Sequence, residues 1–278
     1  MKEKILITVK TYPTLSKKYA ELVCTAGVNE AGQWRRIYPV RFRLLNDESK
    51  YKKYQWIEAD LKKSESDQRP ETYRLDNPDG VASLGDPLPT GDNWLRRREE
   101  FIDKVNIHDD LTQLIVEAHD NKVSLSLFRP AKWIDLTIES VDREWDPKKL
   151  AILEQEKRQG NLFKDTETVA WEFEVVKKLP YKFSYVFQDK RGKQSKLMIE
   201  DWEIGALYWN CLKSSNGDEE QAIKKVRQKY WDRFIQREQA GTLLVLGTTL
   251  EHHNKKASNP FVIVSVVPLR REIQPRLF

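Results

Sequence analysis

The chain has 278 residues, of which 39% are hydrophobic and 33% are charged. This composition supplies a core for one large or two smaller domains and excludes disorder for most of the chain. The net charge of +5 favours nucleic acid or another acidic surface as a partner, although a mixed, well-solvated surface gives the same sum.

Cysteine usage and the start of the chain predict a cytoplasmic protein. Cys24 and Cys211 each lie in an apolar pattern, so we expect buried free thiols rather than a disulfide framework. Met1 to Lys4 lead directly into a strand-like run, with no apolar signal segment before it. No stretch approaches the ~20 apolar residues that a membrane span needs, and we therefore expect no membrane association.

The first part of the chain predicts a β-rich domain over residues 1–146. Its strand-like runs are separated by short turns, which favours an antiparallel, barrel-like sheet. The predicted strands are 5–12, 19–28, 33–43 and 54–62.

Turn-forming residues then predict a long loop over 76–93. Asp92 or Asn93 is expected to cap a helix over 94–105, and a second helix is expected over 110–119. A strand over 123–140, broken at Arg129-Pro130, completes the predicted domain.

A polar helix over 147–160 lies within a predicted connection over 147–165. The second predicted domain, 166–278, has the order ββααββ, so the fold class is α+β. Its predicted elements are strands 181–188 and 195–199 around a hairpin turn, helices starting at Asp201 and Asp218, and strands 242–247 and 261–267.

The segment from Trp34 to Arg43 is the main candidate for ligand binding. Strand periodicity places Trp34 and Arg36 on one face, expected to be the core, and Arg35 on the other, expected to meet solvent. The functional interpretation is a basic strand whose arginines hold phosphates while aromatic rings stack on bases. The candidate residues of this segment and its neighbour are Trp34, Arg35, Arg36, Tyr38, Arg41, Arg43, Lys52, Lys53 and Trp56.

The helix after the long loop adds Arg97 and Arg98 to the candidates. Helical spacing places Arg98 on the same side as Trp94 and Ile102, where a guanidinium needs an anionic or carbonyl partner. We therefore expect Arg98 to be less exposed than Arg96.

Two other clusters support an alternative function. Asp201 and Glu203 at a strand-to-helix junction are placed to bind a metal, although capping by Asp201 and a dipole interaction of Glu203 are the stronger explanation. Glu251 and His252 follow an apolar strand. Together these four side chains are the candidate groups of a metal-dependent phosphodiesterase or nuclease.

Several short segments resemble landmarks of a family of uncharacterised bacterial proteins. The resemblance covers most of the chain and implies no activity, cofactor or catalytic residue. The segments are Lys10-Thr11-Tyr12-Pro13, Trp34 to Arg43, Asp201-Trp202-Glu203, Gly247-Thr248-Thr249 and Asn259-Pro260-Phe261.

The sequence favours a nucleic-acid-binding protein, with DNA preferred over RNA, that acts as an accessory or sensing factor without chemistry of its own. The alternatives are the phosphodiesterase described above and a non-catalytic interaction subunit with a protein partner. Because no phosphate loop, dinucleotide fingerprint, nucleophile elbow or zinc-ligand spacing occurs, we expect no cofactor and assign no catalytic or metal-ligating residue.

Overall fold

A computed structural model of the chain describes residues 1–13, 23–40, 42, 50–77, 80–148, 150–151, 176–237 and 241–269. The strands are β1 Lys2–Lys10, β2 Val23–Asn29, β3 Trp34–Val40, β4 Trp56–Lys63, β5 Thr72–Leu75, β6 Val81–Leu84, β7 Ile107–His108, β8 Leu125–Phe128, β9 Lys132–Ser140, β10 Tyr181–Gln188, β11 Gln194–Met198, β12 Leu243–Thr248 and β13 Phe261–Val267. The helices are α1 Gly91–Glu100, α2 Leu111–His119, α3 Trp202–Ser214, α4 Glu219–Arg227 and α5 Leu250–Asn254; Ile102–Lys104 forms a 3-10 turn, and a π-helical segment, Gln228–Gln236, continues α4. This mixture of elements confirms the predicted α+β class. Among the described helices, none has both the length and the apolar surface needed to cross a membrane.

The N-terminal strands close into a five-stranded barrel. β1 pairs antiparallel with β2 along one edge and with β4 along the other. β2 pairs with β3 and β4 pairs with β5, both antiparallel, while β3 and β5 run parallel. The circuit β1-β2-β3-β5-β4-β1 confirms the predicted barrel, whereas β5 and its parallel pairing were not predicted.

The C-terminal strands follow the same circuit. β9 pairs with β10, β10 with β11, β13 with β12 and β12 with β8, all antiparallel. Ile199, just after β11, forms a parallel bridge with Ile263 of β13. β8 and β9 are separated at Arg129-Pro130, as predicted, so together they act as one bent first strand. Counted in this way, the strand order again runs first, second, third, fifth, fourth and back to the first, and we call this circuit the second barrel.

The helices and the β10–β11 hairpin of the C-terminal half lie at the positions predicted from the sequence. α3 and α4 fall between the third and fourth strands, and the predicted ββααββ order is confirmed, with α5 added between β12 and β13. Asp201 and Asp218 cap the two helices through their side chains. The predicted division at 147–165 stays a prediction because most of that segment, including most of the predicted helix 147–160, lies outside the described residues. β8 and β9 precede that segment, yet they pair with strands of the C-terminal circuit.

The two circuits pack against each other through strands that are buried on both faces. In β1, Ile5 and Ile7 fill the interior of the first barrel, whereas Leu6 packs into a separate cluster between the two halves. In β12, Leu244 faces the second core, whereas Val245 joins the cluster between the halves. Successive strand residues point to opposite faces, so a strand that packs against apolar groups on both faces has a continuous run of apolar residues.

The region predicted as a loop contains regular structure. β6 lies inside the predicted loop 76–93 and pairs with β4, although its sequence has only a weak apolar pattern. α1 begins at Gly91 after Thr90, so neither Asp92 nor Asn93 is the cap, and it ends at Glu100 rather than near Val105. The helix stops because Phe101 leaves helical geometry and its ring is buried in the cluster between the halves.

One face of β3 differs from the prediction, whereas the face of Trp34 and Arg36 is buried as expected. Ile37 points into the barrel core, while Trp34 and Arg36 point toward the second half of the molecule. Arg35, expected to meet solvent, is only 9% exposed. The periodicity itself was correct, but the face of Ile37 lines the interior of the closed barrel while the C-terminal half covers the other face, so neither face of the strand is solvated.

We expect Gly27→Ala to lower the free energy of unfolding by about 3 kcal/mol, because overpacking at a backbone contact has no room to relax. A Cβ at Gly27 would lie 2.0 Å from the carbonyl oxygen of Leu6 on the neighbouring strand. Urea denaturation measures the change. Gly91→Ala is the matched control, because nothing lies within 4 Å of the added Cβ. Equal unfolding free energies for the two variants would contradict this account of β1–β2 packing.

Candidate functional site

A cavity of about 250 Å³ lies between the two barrels. Its walls come from β1 to β3 and the β4–β5 loop on one side, and from the ends of β11, β12 and β13 on the other. The polar and aromatic groups that line it are Tyr12, Cys24, Arg36, Tyr38, Arg69, Glu200 and Thr248. Two of these, Arg36 and Tyr38, belong to the predicted candidate set.

Arg36 presents a pair of donors at this cavity whose only partner among the described residues is the Cys24 thiol. Its side chain is buried, and Nη1 donates to Thr72 Oγ1 at 3.2 Å and to Ser124 Oγ at 2.6 Å, while Nη2 donates to the Ser124 carbonyl at 2.8 Å. A guanidinium has five N–H donors, so Nε–H and one Nη2–H remain. These two lie side by side and form a fork that fits two adjacent acceptors. The Cys24 thiol, a weak acceptor, lies against the guanidinium.

The two arginines at the cavity differ in whether a carboxylate neutralises their charge. Arg69 binds Asp67 through Nε at 2.8 Å and through Nη2, so its charge is neutralised. Arg36 contacts no carboxylate among the described residues; Glu71 reaches it only through Ser124, which hydrogen-bonds to both side chains. Burial and the neighbouring Arg69 charge together lower the pKa of Arg36 to about 10, which still leaves it cationic at neutral pH. The wall therefore carries one cation that no directly contacting carboxylate compensates.

Two further polar groups of the wall lack hydrogen-bond partners in the described part of the chain. The Thr248 side chain is 4% exposed, and its Oγ1 makes no hydrogen bond. Glu200 uses its backbone to bind Tyr12 and Ile263, and the residue as a whole is half-buried. Burial raises the pKa of that carboxyl. Buried polar groups normally have partners, so this wall is suited to a ligand that supplies them.

Aromatic rings complete the cavity. Tyr12 and Tyr38 are both half-buried and line it. The Tyr12 hydroxyl donates to the Lys177 carbonyl at 2.8 Å and accepts from Trp209 Nε1 at 2.9 Å, which holds the ring in place. The cavity thus combines a donor fork, a carboxyl, a hydroxyl and two rings.

A second cavity, of about 360 Å³, lies elsewhere along the contact between the halves and is a weaker candidate. Its polar groups are already paired: Arg35 Nε donates to Glu3 at 2.7 Å, and His108 Nδ1 lies 2.7 Å from Ser126 Oγ. Such groups need no ligand to satisfy them.

The predicted residues around β3 do not form one basic surface. Arg35 pairs with Glu3, and Trp34 packs edge-on against Phe101 with ring centroids 5.6 Å apart. Trp56 packs partly buried against the cluster between the halves, whereas Lys52 is exposed. Arg41 and Arg43 lie outside the described residues. A role for these residues in nucleic-acid binding stays a prediction.

Lys53, also a candidate, is part of an ion-pair cluster between the barrels. Its Nζ lies 3.0 Å from both Asp201 Oδ2 and Glu203 Oε2, and its side chain is 7% exposed. Asp201 Oδ2 also accepts the Val266 backbone N–H at 3.0 Å, and Oδ1 accepts from Glu203 N at 3.1 Å as the cap of α3. The lysine ammonium occupies the position between the two carboxylates that a metal would take.

The arginines of α1 behave as their spacing predicts. Arg98 is half-buried whereas Arg96 is exposed, which confirms the expected order. The Arg97 guanidinium lies 4.0 Å from the Tyr54 ring centroid and 4.6 Å from that of Trp94, and Nε donates to the Leu88 carbonyl at 2.8 Å. Arg97 is therefore held by rings and a carbonyl oxygen.

The remaining candidates for a metal centre are dispersed. Glu251 pairs with Lys255 in the short helix α5, and His252 is exposed. The neighbouring His253 places Nε2 at 3.0 Å from Asn121 Oδ1. Within the described ranges, no group of three or more His, Cys, Asp or Glu side chains is arranged to hold a metal ion.

Arg69, Glu200 and Thr248 are among the cavity residues that were absent from the predicted set. Each lies at the end of a strand or in a turn, where a polar residue has an ordinary structural explanation. Their shared cavity depends on how the second barrel packs on the first, and no local sequence signal encodes that contact.

The fold defines a class of two-part α+β proteins with two successive circuits of the same strand order. Residues 105–278 match the domain of unknown function DUF8757, and residues 1–104 match the domain of unknown function DUF8758. The chain therefore belongs to the DUF8757 family and carries a DUF8758 domain before it, in agreement with the predicted resemblance to uncharacterised proteins. No curated protein matches it in sequence.

Among solved structures, the chain is similar to one described as a murine DNA binding protein bound with double-stranded DNA. The identity is 7%, the alignment covers 100% of this chain and 99% of the other, and the TM-score is 0.29. A similarity at this level carries no argument about the binding properties of the present protein.

Proposed function

We propose that the protein binds nucleic acid and takes one unstacked nucleotide unit into the cavity between its barrels. The observation that carries this proposal is the donor fork of Arg36 at the cavity wall, where its only described partner is the weakly accepting Cys24 thiol and no carboxylate contacts the guanidinium directly. A guanidinium fork of this kind recognises phosphate oxygens or adjacent acceptors on a base edge. DNA in preference to RNA, and an accessory or sensing role, stay predictions.

The size and the rings of the cavity favour a single unit of a strand over a duplex. Sites for drug-sized ligands occupy ~300–1,000 Å³, and this cavity, at about 250 Å³, lies just below that range. Tyr12 and Tyr38 offer π-faces on which a base can stack, the usual way in which single strands are held.

The connectivity gives support by analogy. Five-stranded Greek-key barrels with the order 1-2-3-5-4-1 are OB-folds, whose second and third strands and neighbouring loops bind oligonucleotides or oligosaccharides. Here Cys24 of β2 and Arg36 and Tyr38 of β3 line the cavity, together with Arg69 of the loop between β4 and β5. Because one fold hosts many functions, the analogy supports the position of the site and leaves the ligand to be tested.

The first test compares single-stranded DNA, duplex DNA and RNA in binding titrations at two salt concentrations. We expect the single strand to bind more tightly than the duplex, with an affinity that falls as salt rises. Arg36→Lys keeps a cation but removes the fork, and we expect about a tenfold or larger loss of affinity. Thr248→Val removes only a hydroxyl without a described partner, so it should leave the melting temperature unchanged and weaken binding by a smaller factor.

Arg96→Lys on the exposed face of α1 is the matched control and should bind like the wild type. If none of the three nucleic acids binds at low salt, or if Arg36→Lys and Thr248→Val both bind like the control while remaining folded, the proposal is wrong.

A further inference from the structure

The cavity wall carries complementary hydrogen-bonding groups on its two sides. Arg36 of β3 offers two parallel donors, Nε–H and Nη2–H. Glu200, which follows β11 in the other barrel, offers a carboxyl with two adjacent acceptors when ionised. No hydrogen bond to that carboxyl occurs among the described residues, and Glu200 makes no described ion pair.

Each of these groups limits the ligand. The Arg36 fork needs two adjacent acceptors, and Glu200 needs donors, preferably two in the same plane. A phosphate satisfies the first requirement but is repelled by the Glu200 carboxylate. Adenine has no pair of adjacent acceptors, and thymine has a donor between its two carbonyls.

Only two of the four DNA bases present adjacent acceptors. Guanine has O6 and N7 on one edge, and cytosine has O2 and N3. Guanine also has two adjacent donors, N1–H and N2–H, whereas cytosine has the single amino group N4. Guanine is therefore the base that can accept from Arg36 and donate to Glu200 at the same time.

We propose that the cavity selects guanine, with Arg36 donating to O6 and N7 and the Glu200 carboxylate accepting from N1–H and N2–H. This inference rests on the proposed function and names the unit of the strand that enters the cavity. The unpartnered hydroxyl of Thr248 and the rings of Tyr12 and Tyr38 supply the remaining polar contact and the stacking surface.

Burial of Glu200 is consistent with this pairing. Desolvation raises the pKa of its carboxyl, so the ionised form is costly unless donors reach it. The two N–H groups of guanine supply those donors and favour the carboxylate. Arg36 remains a cation at neutral pH. With guanine bound, the Arg36 guanidinium and the Glu200 carboxylate would both contact a neutral base.

The experiment measures the affinity of short oligothymidylate strands that carry one central test base. We expect the strand with guanine to bind about tenfold or more tightly than the strands with adenine, cytosine or thymine. This is the usual discrimination that one bidentate pair of hydrogen bonds to a base provides. Hypoxanthine, which lacks the N2 amino group, and 7-deazaguanine, which lacks N7, should each lose most of this preference. Deoxyguanosine monophosphate and inorganic phosphate, used as competitors, distinguish a free nucleotide or phosphate from a base presented within a strand.

Glu200→Gln tests the Glu200 side of the cavity, because the amide offers one acceptor and one donor in place of two acceptors. It should remove the preference for guanine over hypoxanthine while the melting temperature stays constant. Glu220→Gln on the exposed face of α4 is the matched control and should keep the full preference.

The outcomes separate the two proposals. Equal affinity for all test bases, with binding retained, would overturn guanine selection and leave strand binding standing. Displacement by inorganic phosphate as effectively as by deoxyguanosine monophosphate would also overturn it, since the fork would then hold a phosphate. Absence of binding to every strand would overturn the proposed function itself.

Discussion

Replacing Lys53 with methionine is expected to lower the free energy of unfolding by about 3–5 kcal/mol, because it leaves a buried carboxylate without its cation. The Lys53 ammonium lies 3.0 Å from a carboxylate oxygen of both Asp201 and Glu203, and Asp201 is fully buried. Although burial alone lowers the pKa of Lys53, the two carboxylates raise it above its ordinary value, so the lysine is charged throughout the neutral range. The cluster joins the start of β4 in one barrel to the cap of α3 in the other.

Chemical denaturation measures this effect, and two further variants identify its cause. Lys52→Met removes the adjacent, exposed lysine and should change stability by no more than about 0.5 kcal/mol. Combining Lys53→Met with Asp201→Asn should recover part of the loss, because asparagine still caps the helix but carries no charge. A double variant no more stable than Lys53→Met would show that packing rather than charge accounts for the loss. A change below about 1 kcal/mol in Lys53→Met would contradict the prediction.

Replacing Asp67 with asparagine is expected to lower the free energy of unfolding by a similar amount, about 3–5 kcal/mol. Asp67 binds Arg69 through both carboxylate oxygens, and both side chains are buried. Arg69 also donates through Nη1 to the Thr248 carbonyl, so it links the β4–β5 loop to the second barrel. Without Asp67, the Arg69 and Arg36 guanidiniums are left near each other without a carboxylate in contact with either.

The same ion pair predicts how stability depends on pH. Burial alone raises the pKa of Asp67, but the hydrogen bonds and charge of Arg69 lower it below its ordinary value. A carboxyl whose pKa is lowered by folding contributes stability above its ordinary pKa of about 3.9, and this contribution is lost as the pH falls. The wild type should therefore lose stability below about pH 4 more steeply than Asp67→Asn.

Urea denaturation between pH 2.5 and 7 tests both statements. Asp76→Asn is the control, because Asp76 pairs with Lys62 at the exposed surface and such pairs contribute at most about 1 kcal/mol. Parallel pH profiles for the wild type and Asp67→Asn would show that Asp67 is not the titrating group. Equal losses for the two aspartate variants would show that burial adds nothing to the Arg69 pair.

Local pattern in the sequence determined most of the secondary structure. β-branched runs with turns between them placed the first four strands to within a few residues at the described ends. The break at Arg129-Pro130 and the turn at 189–192 were also placed correctly, because proline and glycine restrict the backbone locally. The helix starts at Asp110, Asp201 and Asp218 were predicted, and each of these residues caps its helix in the structure, because capping needs only a side chain three or fewer residues from its partner.

Local pattern failed where pairing between distant segments stabilises the structure. β5 and β6 are short, and their stability comes from pairing with β3 and β4 rather than from their own composition. One face of β3 was misassigned for a related reason. Periodicity separates Arg36 from Ile37, but it does not indicate that the face of Ile37 lines the interior of a closed barrel.

The candidate site shows the same division. Local composition and turn chemistry predicted a basic, aromatic β3 and polar residues near the ends of β11 and β12. Which of these residues act together depends on how the two halves pack: Arg35 and Lys53 are ion-paired, whereas Arg36, Glu200 and Thr248 line one cavity. The free energy of a buried charge or hydroxyl depends on the partners that surround it, and these partners are distant in the chain: Glu3 is 32 residues from Arg35, and Asp201 is 148 residues from Lys53.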